Sequence, residues 1–111
     1  MINPTVSAVL FVYNEEAFIA EMLDSILKQS IPVEEIIIID DQSTDNTKEI
    51  IERYKPGANI TYCSNPEKGK VPALNLGLSQ VKTDYYFVCA GDDILSKDYV
   101  KINLELLQRN N

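Results

Sequence analysis

Histidine is absent from the 111 residues, so imidazole is excluded as an acid, a base or a metal ligand. Glycine is scarce, at four residues, and no Gly-x-Gly-x-x-Gly follows the first apolar run. That disfavours a dinucleotide-binding oxidoreductase. A Walker-type phosphate loop is missing too, because Gly69-Lys70 leads into Val71 where a hydroxyl residue is required. No apolar run approaches the roughly 18 residues that span a bilayer. Met1-Ile2-Asn3-Pro4 lacks the charged region and apolar core of a secretion signal, and no leader or membrane segment is expected. Basic residues are outnumbered, 10 Lys and Arg against 17 Asp and Glu, for a formal net charge of −7. This balance argues against a general nucleic-acid or anionic-membrane surface, and no nucleic-acid partner is expected. The two cysteines, Cys63 and Cys89, lie in strand-like runs without metal-ligand spacing. Buried free thiols in a reducing, cytoplasmic setting are the expectation, the cytoplasmic face of a membrane included.

What remains is an ordinary globular composition, 45% hydrophobic and 24% charged, at a length suited to one domain over residues 1–111. Val6 to Val12 is a continuous β-prone run, the pattern of a strand buried on both faces. Asn14 is placed to cap a helix with Glu15 and Glu16 in its first turn, and Ile19, Met22, Leu23, Ile26 and Leu27 give it one apolar face. Ile36 to Ile39 form a second strand, and Thr44 or Asp45 caps a second helix that Pro56-Gly57 ends. Ile60 to Cys63 predict a third strand. A third helix starts near Val71-Pro72 and is expected to turn Val71, Leu74, Leu78 and Val81 inward, with Gly77 allowing close approach to the sheet. Tyr85 to Cys89 form the fourth strand, and Ser96 caps a last helix to about Leu107. That helix is apolar on two sides, Val100, Leu104 and Leu107 against Tyr99, Ile102 and Leu106, which suggests burial on both and a longer natural protein. Strands alternating with helices predict an α/β fold, a Rossmann-like parallel sheet with flanking helices.

Two acidic doublets stand out against this frame. Asp40-Asp41 follows the second strand and Asp92-Asp93 the fourth, each with Tyr13-Asn14 of the first strand at a carboxyl end, where such sheets bind ligands. Adjacent carboxylates repel by roughly 4 kcal/mol at 4 Å and an effective dielectric near 20. A divalent cation, a basic side chain or hydrogen-bond donors must therefore sit among them if folding brings the doublets together.

The motifs together resemble family-2 glycosyltransferases. Val6 to Glu16 is similar to the family's opening strand and turn. Asp40 to Thr47 is similar to its second-strand motif, Lys70 to Leu78 to its third-helix segment, and Gly91 to Leu95 to the region of its metal-binding aspartates. The resemblance implies a partial GT-A fold: a nucleotide-sugar-binding domain truncated at its C-terminus. It implies a nucleotide-sugar donor, commonly a UDP-sugar, held with Mn2+ or Mg2+. By position Tyr13 and Asp41 would contact the nucleobase, Lys70 the donor phosphates and Asp92 the ribose or metal, with Asp93 the direct metal ligand. The acceptor, whether glycan, lipid-linked or protein, is left open, and the catalytic base is expected beyond Asn111. Ala90 and Phe11 depart from the family pattern, standing where an extra aspartate and a small or hydroxylated residue are common. Two rival classes are a phosphate-accepting receiver domain, disfavoured because Tyr13-Asn14 and Ser64-Asn65 hold its acidic positions, and a non-catalytic α/β interaction module.

Overall fold

The computed structural model describes residues 4–90 and 92–109. Four strands, β1 (Val6–Val12), β2 (Glu35–Asp40), β3 (Ile60–Ser64) and β4 (Tyr85–Ala90), alternate with helices α1 (Ile19–Leu27), α2 (Thr47–Tyr54), α3 (Lys70–Gln80) and α4 (Tyr99–Arg109). The strands form one parallel sheet in the order β3-β2-β1-β4, so the chain steps outward to β3 and then returns to the other side of β1. The α/β expectation holds. The two central strands, β1 and β2, are mostly apolar on both faces because both of their faces are covered.

The alternation of side chains along a strand divides the core into two layers. Ala8, Leu10, Val12, Ile36 and Ile38 pack with Ile19, Met22, Leu23 and Ile26 of α1 and Ile51 of α2. Val9, Ile37 and Ile39 pack on the other face with Ala73 of α3. α4 closes the amino-terminal end of the sheet through Val100 and Leu104 on Val6, with Tyr99 edge-on to Phe87 at 5.2 Å. Tyr99 thus joins the buried side of α4, not the opposite side expected for it, while Ile102 is 52% exposed. Cys63 and Cys89 are free, and lie on strands at opposite edges of the sheet. No helix among the described residues is long and apolar enough to cross a membrane.

Three local expectations change. Asn14 does not cap α1, which begins four residues after Glu15, past a turn whose Phe18 and Ile19 amides both donate to the Glu15 carbonyl. α4 begins at Tyr99, with the Tyr99 amide donating to the Ser96 carbonyl. α3 turns a different face to the sheet: Ala73 and Gly77 are buried, Val71 is 69% exposed, and only Val81 of the four expected residues packs into the core layer. The reason is distance. A Cβ on Gly77 would lie 2.9 Å from Val9 Cγ1, so the helix backbone approaches more closely than any larger side chain permits.

Candidate functional site

Backbone geometry at the carboxyl ends of β1 and β2 assembles the site. Tyr13 follows the last residue of β1, and Asn14 then takes a left-handed φ of 49°, which asparagine tolerates better than most residues. From there the Asn14 amide donates to Ser43 Oγ at 2.9 Å, and Asn14 Oδ1 accepts from the Thr44 and Asp45 amides at 2.7 and 3.3 Å. The Glu15 amide donates to Thr47 Oγ1 at 2.8 Å. Asn14 is therefore a clamp between the loops after β1 and β2. Asn46, not Thr44 or Asp45, is the N-cap residue of α2; Asp45, just before it, accepts from the Thr47 amide at 2.9 Å and from the Glu16 amide at 3.2 Å.

Asp40 and Asp41 diverge, as successive strand residues must. Asp40 is 1% exposed and accepts from the Ser43 amide at 2.8 Å and the Tyr62 hydroxyl at 2.6 Å. Burial, then this bond to Asp40, pushes the Tyr62 hydroxyl far above the usual phenol range. Asp41 faces the α3 layer, where its Oδ1 accepts from Asn65 Nδ2 at 3.1 Å and from the Gly69 amide at 3.2 Å. Asn65 is itself 1% exposed, and its own amide donates to the Asp40 carbonyl at 2.7 Å. The protein's own donors thus offset part of the charge of this doublet.

A cavity of about 390 Å³ opens beside Asp41. Tyr13, Asp41 and Lys70 line it together with Phe11, Gly69 and Leu74, so three of the expected site residues meet in one place. An acceptor-only carboxylate beside an exposed aromatic ring, above an apolar floor, suits a planar group that carries an N–H.

Asp92 and Asp93 are exposed and are not among the cavity-lining residues, and Gly91 lies outside the described residues. Glu15, which does line the cavity, has its pKa raised by burial, then by the charges of Asp92 and Asp45. Asp93 turns back to β4: its Oδ2 accepts from the Ala90 amide at 3.0 Å, and its amide donates to the Ala90 carbonyl at 3.1 Å. Burial, then the Asp93 charge, pushes the Cys89 thiol up to about 12. No group of three or more Asp, Glu or Cys able to hold a metal forms among the described residues. Two exposed carboxylates still fit a hard cation of the kind that binds through one or two carboxylates and completes its shell with substrate phosphates and water.

The sequence reading missed Asn65, Lys68 and the clamping role of Asn14. Only Asn14 had a local signal, its place directly after a strand, and that signal pointed equally well to a helix cap.

The model for glycosyl transferase family 2 matches residues 7–111. An uncharacterized glycosyltransferase from Rickettsia felis is 34% identical over 106 residues, 96% of this chain and 18% of its own length. The poly-beta-1,6-N-acetyl-D-glucosamine synthase of Staphylococcus epidermidis is 33% identical over 95% of this chain and 26% of its own. The crystal structure of S. aureus TarS 1-349 in complex with UDP superposes with a TM-score of 0.83 at 27% identity, covering 95% of this chain and 32% of that one. The chain therefore spans about a fifth to a third of the length of these proteins, and the GT-A-type core expected from the motifs is the fold it shares with TarS.

Proposed function

Since the chain belongs to glycosyl transferase family 2, we propose that residues 1–111 form the donor-binding part of an inverting glycosyltransferase that uses a nucleotide-diphosphate sugar, most simply a UDP-sugar. The observation that carries this is the meeting of Tyr13, Asp41 and Lys70 around one cavity at the carboxyl ends of β1 and β2. Tyr13 would stack on the base, Asp41 would accept its imide N–H, and Lys70 would approach the donor phosphates. The solved complexes of TarS with UDP and with UDP-GlcNAc lend support to a donor of this class.

Asp93 and Asp92 would hold Mn2+ or Mg2+ beside the diphosphate, Asp93 as the direct ligand. When bound, that cation would stabilise the charge that grows on the leaving nucleotide. This chain's residues hold the donor still. The acceptor hydroxyl gives its proton to a general base, which we assign to residues after Asn111, and its oxygen bonds to the anomeric carbon. The bond from that carbon to the diphosphate breaks on the opposite side, and the nucleoside diphosphate leaves with the electron pair. We assign the protein to the cytoplasm, in keeping with its free thiols. The acceptor class is left to experiment.

Thermal melting tests the site directly. Millimolar UDP with Mn2+ is expected to raise Tm, and the Asp93→Ala variant to lose the metal-dependent part of that rise. A wild-type Tm unmoved by UDP and metal together refutes a formed donor site.

A further inference from the structure

One short loop, residues 65–69 between β3 and α3, touches both residues assigned to the base. Asn65 and Gly69, its two ends, donate to Asp41 Oδ1. Between them Lys68 carries its ammonium to 4.3 Å from the centroid of the Tyr13 ring. A cation within about 6 Å of an aromatic face is attracted by the ring quadrupole. Tyr13 lines the cavity, and Lys68 is not among the residues that line it.

Tyr13 has need of such a hold. It is 45% exposed and sits between the end of β1 and the left-handed Asn14. An exposed ring samples several rotamers, and binding a base against it would cost the entropy of fixing one. A ring already held by a cation avoids much of that loss.

Resting on the donor-site assignment above, we propose that the 65–69 loop is a single positioning element for the nucleobase. Asn65 and Gly69 aim the Asp41 carboxylate, and Lys68 is a positioning residue that holds the Tyr13 ring in place. The ligand class is a planar base with an imide N–H on one edge, for which uridine is the probe. The loop then couples the two contacts, so that recognition of the base edge and of the base face is organised by the same five residues.

Lys68→Met keeps the length of the side chain and removes its charge, while Lys68→Arg keeps the cation. Uridine, which lacks phosphates, separates a role through Tyr13 from a direct phosphate contact. Titrations followed by NMR are expected to show Lys68→Met weakening uridine about two- to five-fold at unchanged Tm, with Lys68→Arg close to wild type. In a Tyr13→Ala background the same substitution is expected to have no further effect on uridine. The Lys68 ε-methylene protons of the free protein should carry an upfield ring-current shift that Tyr13→Ala abolishes. Weakened UDP binding with unchanged uridine binding makes Lys68 a phosphate contact and overturns the proposal. So does an equal loss in the Tyr13→Ala background, or the absence of the ring-current shift. A wild-type protein that shows the shift but binds neither uridine nor UDP brings down the donor-site assignment, and the base-positioning role of Lys68 falls with it.

Discussion

The same dipeptide stands at the end of β2 and just after β4, the two strands that flank β1, and the fold uses it in opposite ways. Asp40-Asp41 is locked in place: one carboxylate is buried between Tyr62 and the Ser43 amide, and the other is held by Asn65 and Gly69. Asp92-Asp93 is open: both residues are exposed, and the Asp93 carboxylate accepts from the Ala90 amide nearby. The difference matches the partner each would meet. A neutral, planar base gives weak directional contacts, which reward a rigid acceptor. A divalent cation brings strong charge and its own phosphate and water ligands, so it tolerates carboxylates that are not preset.

Stability is where the contrast should be widest. Asp40→Ala strands the half-buried Tyr62 hydroxyl and the Ser43 amide, and should cost about 2 kcal/mol in urea unfolding. Asp93→Ala, at an exposed turn, should stay within about 0.5 kcal/mol. Comparable losses would erase the distinction between a locked and an open doublet.

Binding sharpens the same contrast. Asp41→Ala should weaken UDP by roughly ten- to a hundred-fold with or without metal, as expected for a lost hydrogen bond to a charged acceptor. Asp93→Ala should instead leave metal-free uridine binding unchanged and remove the added affinity for UDP that Mn2+ confers. If calorimetry finds that Asp93→Ala keeps the Mn2+-dependent gain in UDP affinity, as Asp41→Ala should, Asp93 is not the ligand.

Thiol chemistry gives a smaller signal from the open side. With its thiol near 12, Cys89 should resist iodoacetamide at pH 8 in the folded chain, while half-buried Cys63 is labelled first. Mass mapping that finds Cys89 alkylated first would contradict the packing beneath the Asp93 turn.

The smallest effect is a pH slope from Glu15, which links the two sides. Its folded pKa lies above 4.5. Below pH 4.5 both folded and unfolded chains hold the proton, and the site has no penalty. As pH rises from 4.5 through the raised folded value, the unfolded chain ionises first and stability falls. Glu15→Gln should flatten that part of the stability curve, as read from urea midpoints between pH 4 and 7. An unchanged slope would mean that burial and the neighbouring charges of Asp92 and Asp45 do not raise Glu15.

Strand positions were legible because a parallel sheet covered on both faces demands near-continuous apolar runs, and Val6–Val12, apolar but for Ser7, and Ile36–Ile39 are such runs. The placing of Tyr13 and Asp41 at one cavity followed from topology, since parallel strands bring their carboxyl ends to one side. The inward face of α3 was misread for a physical reason. Hydrophobicity favoured Val71, Leu74 and Leu78, but the helix sits so close to Val9 and Ile39 that smallness at Ala73 and Gly77 decided the contact. Asn65 was illegible, because its partners Asp40, Asp41 and Gln42 are more than twenty residues away and its loop resembles any polar turn. Lys68 gave no signal either, since a lysine finds an aromatic face only after two loops have met.

The chain's own pattern thus settled the element order, the buried strands, and which residue types would crowd one edge of the sheet. All of these depend on local periodicity and on the few ways a parallel sheet can be wound. Tertiary structure alone decided what each edge residue does. Whether a carboxylate is locked, as at Asp40, or open, as at Asp92, depends on donors that arrive from distant segments, and no short stretch of sequence carries that information.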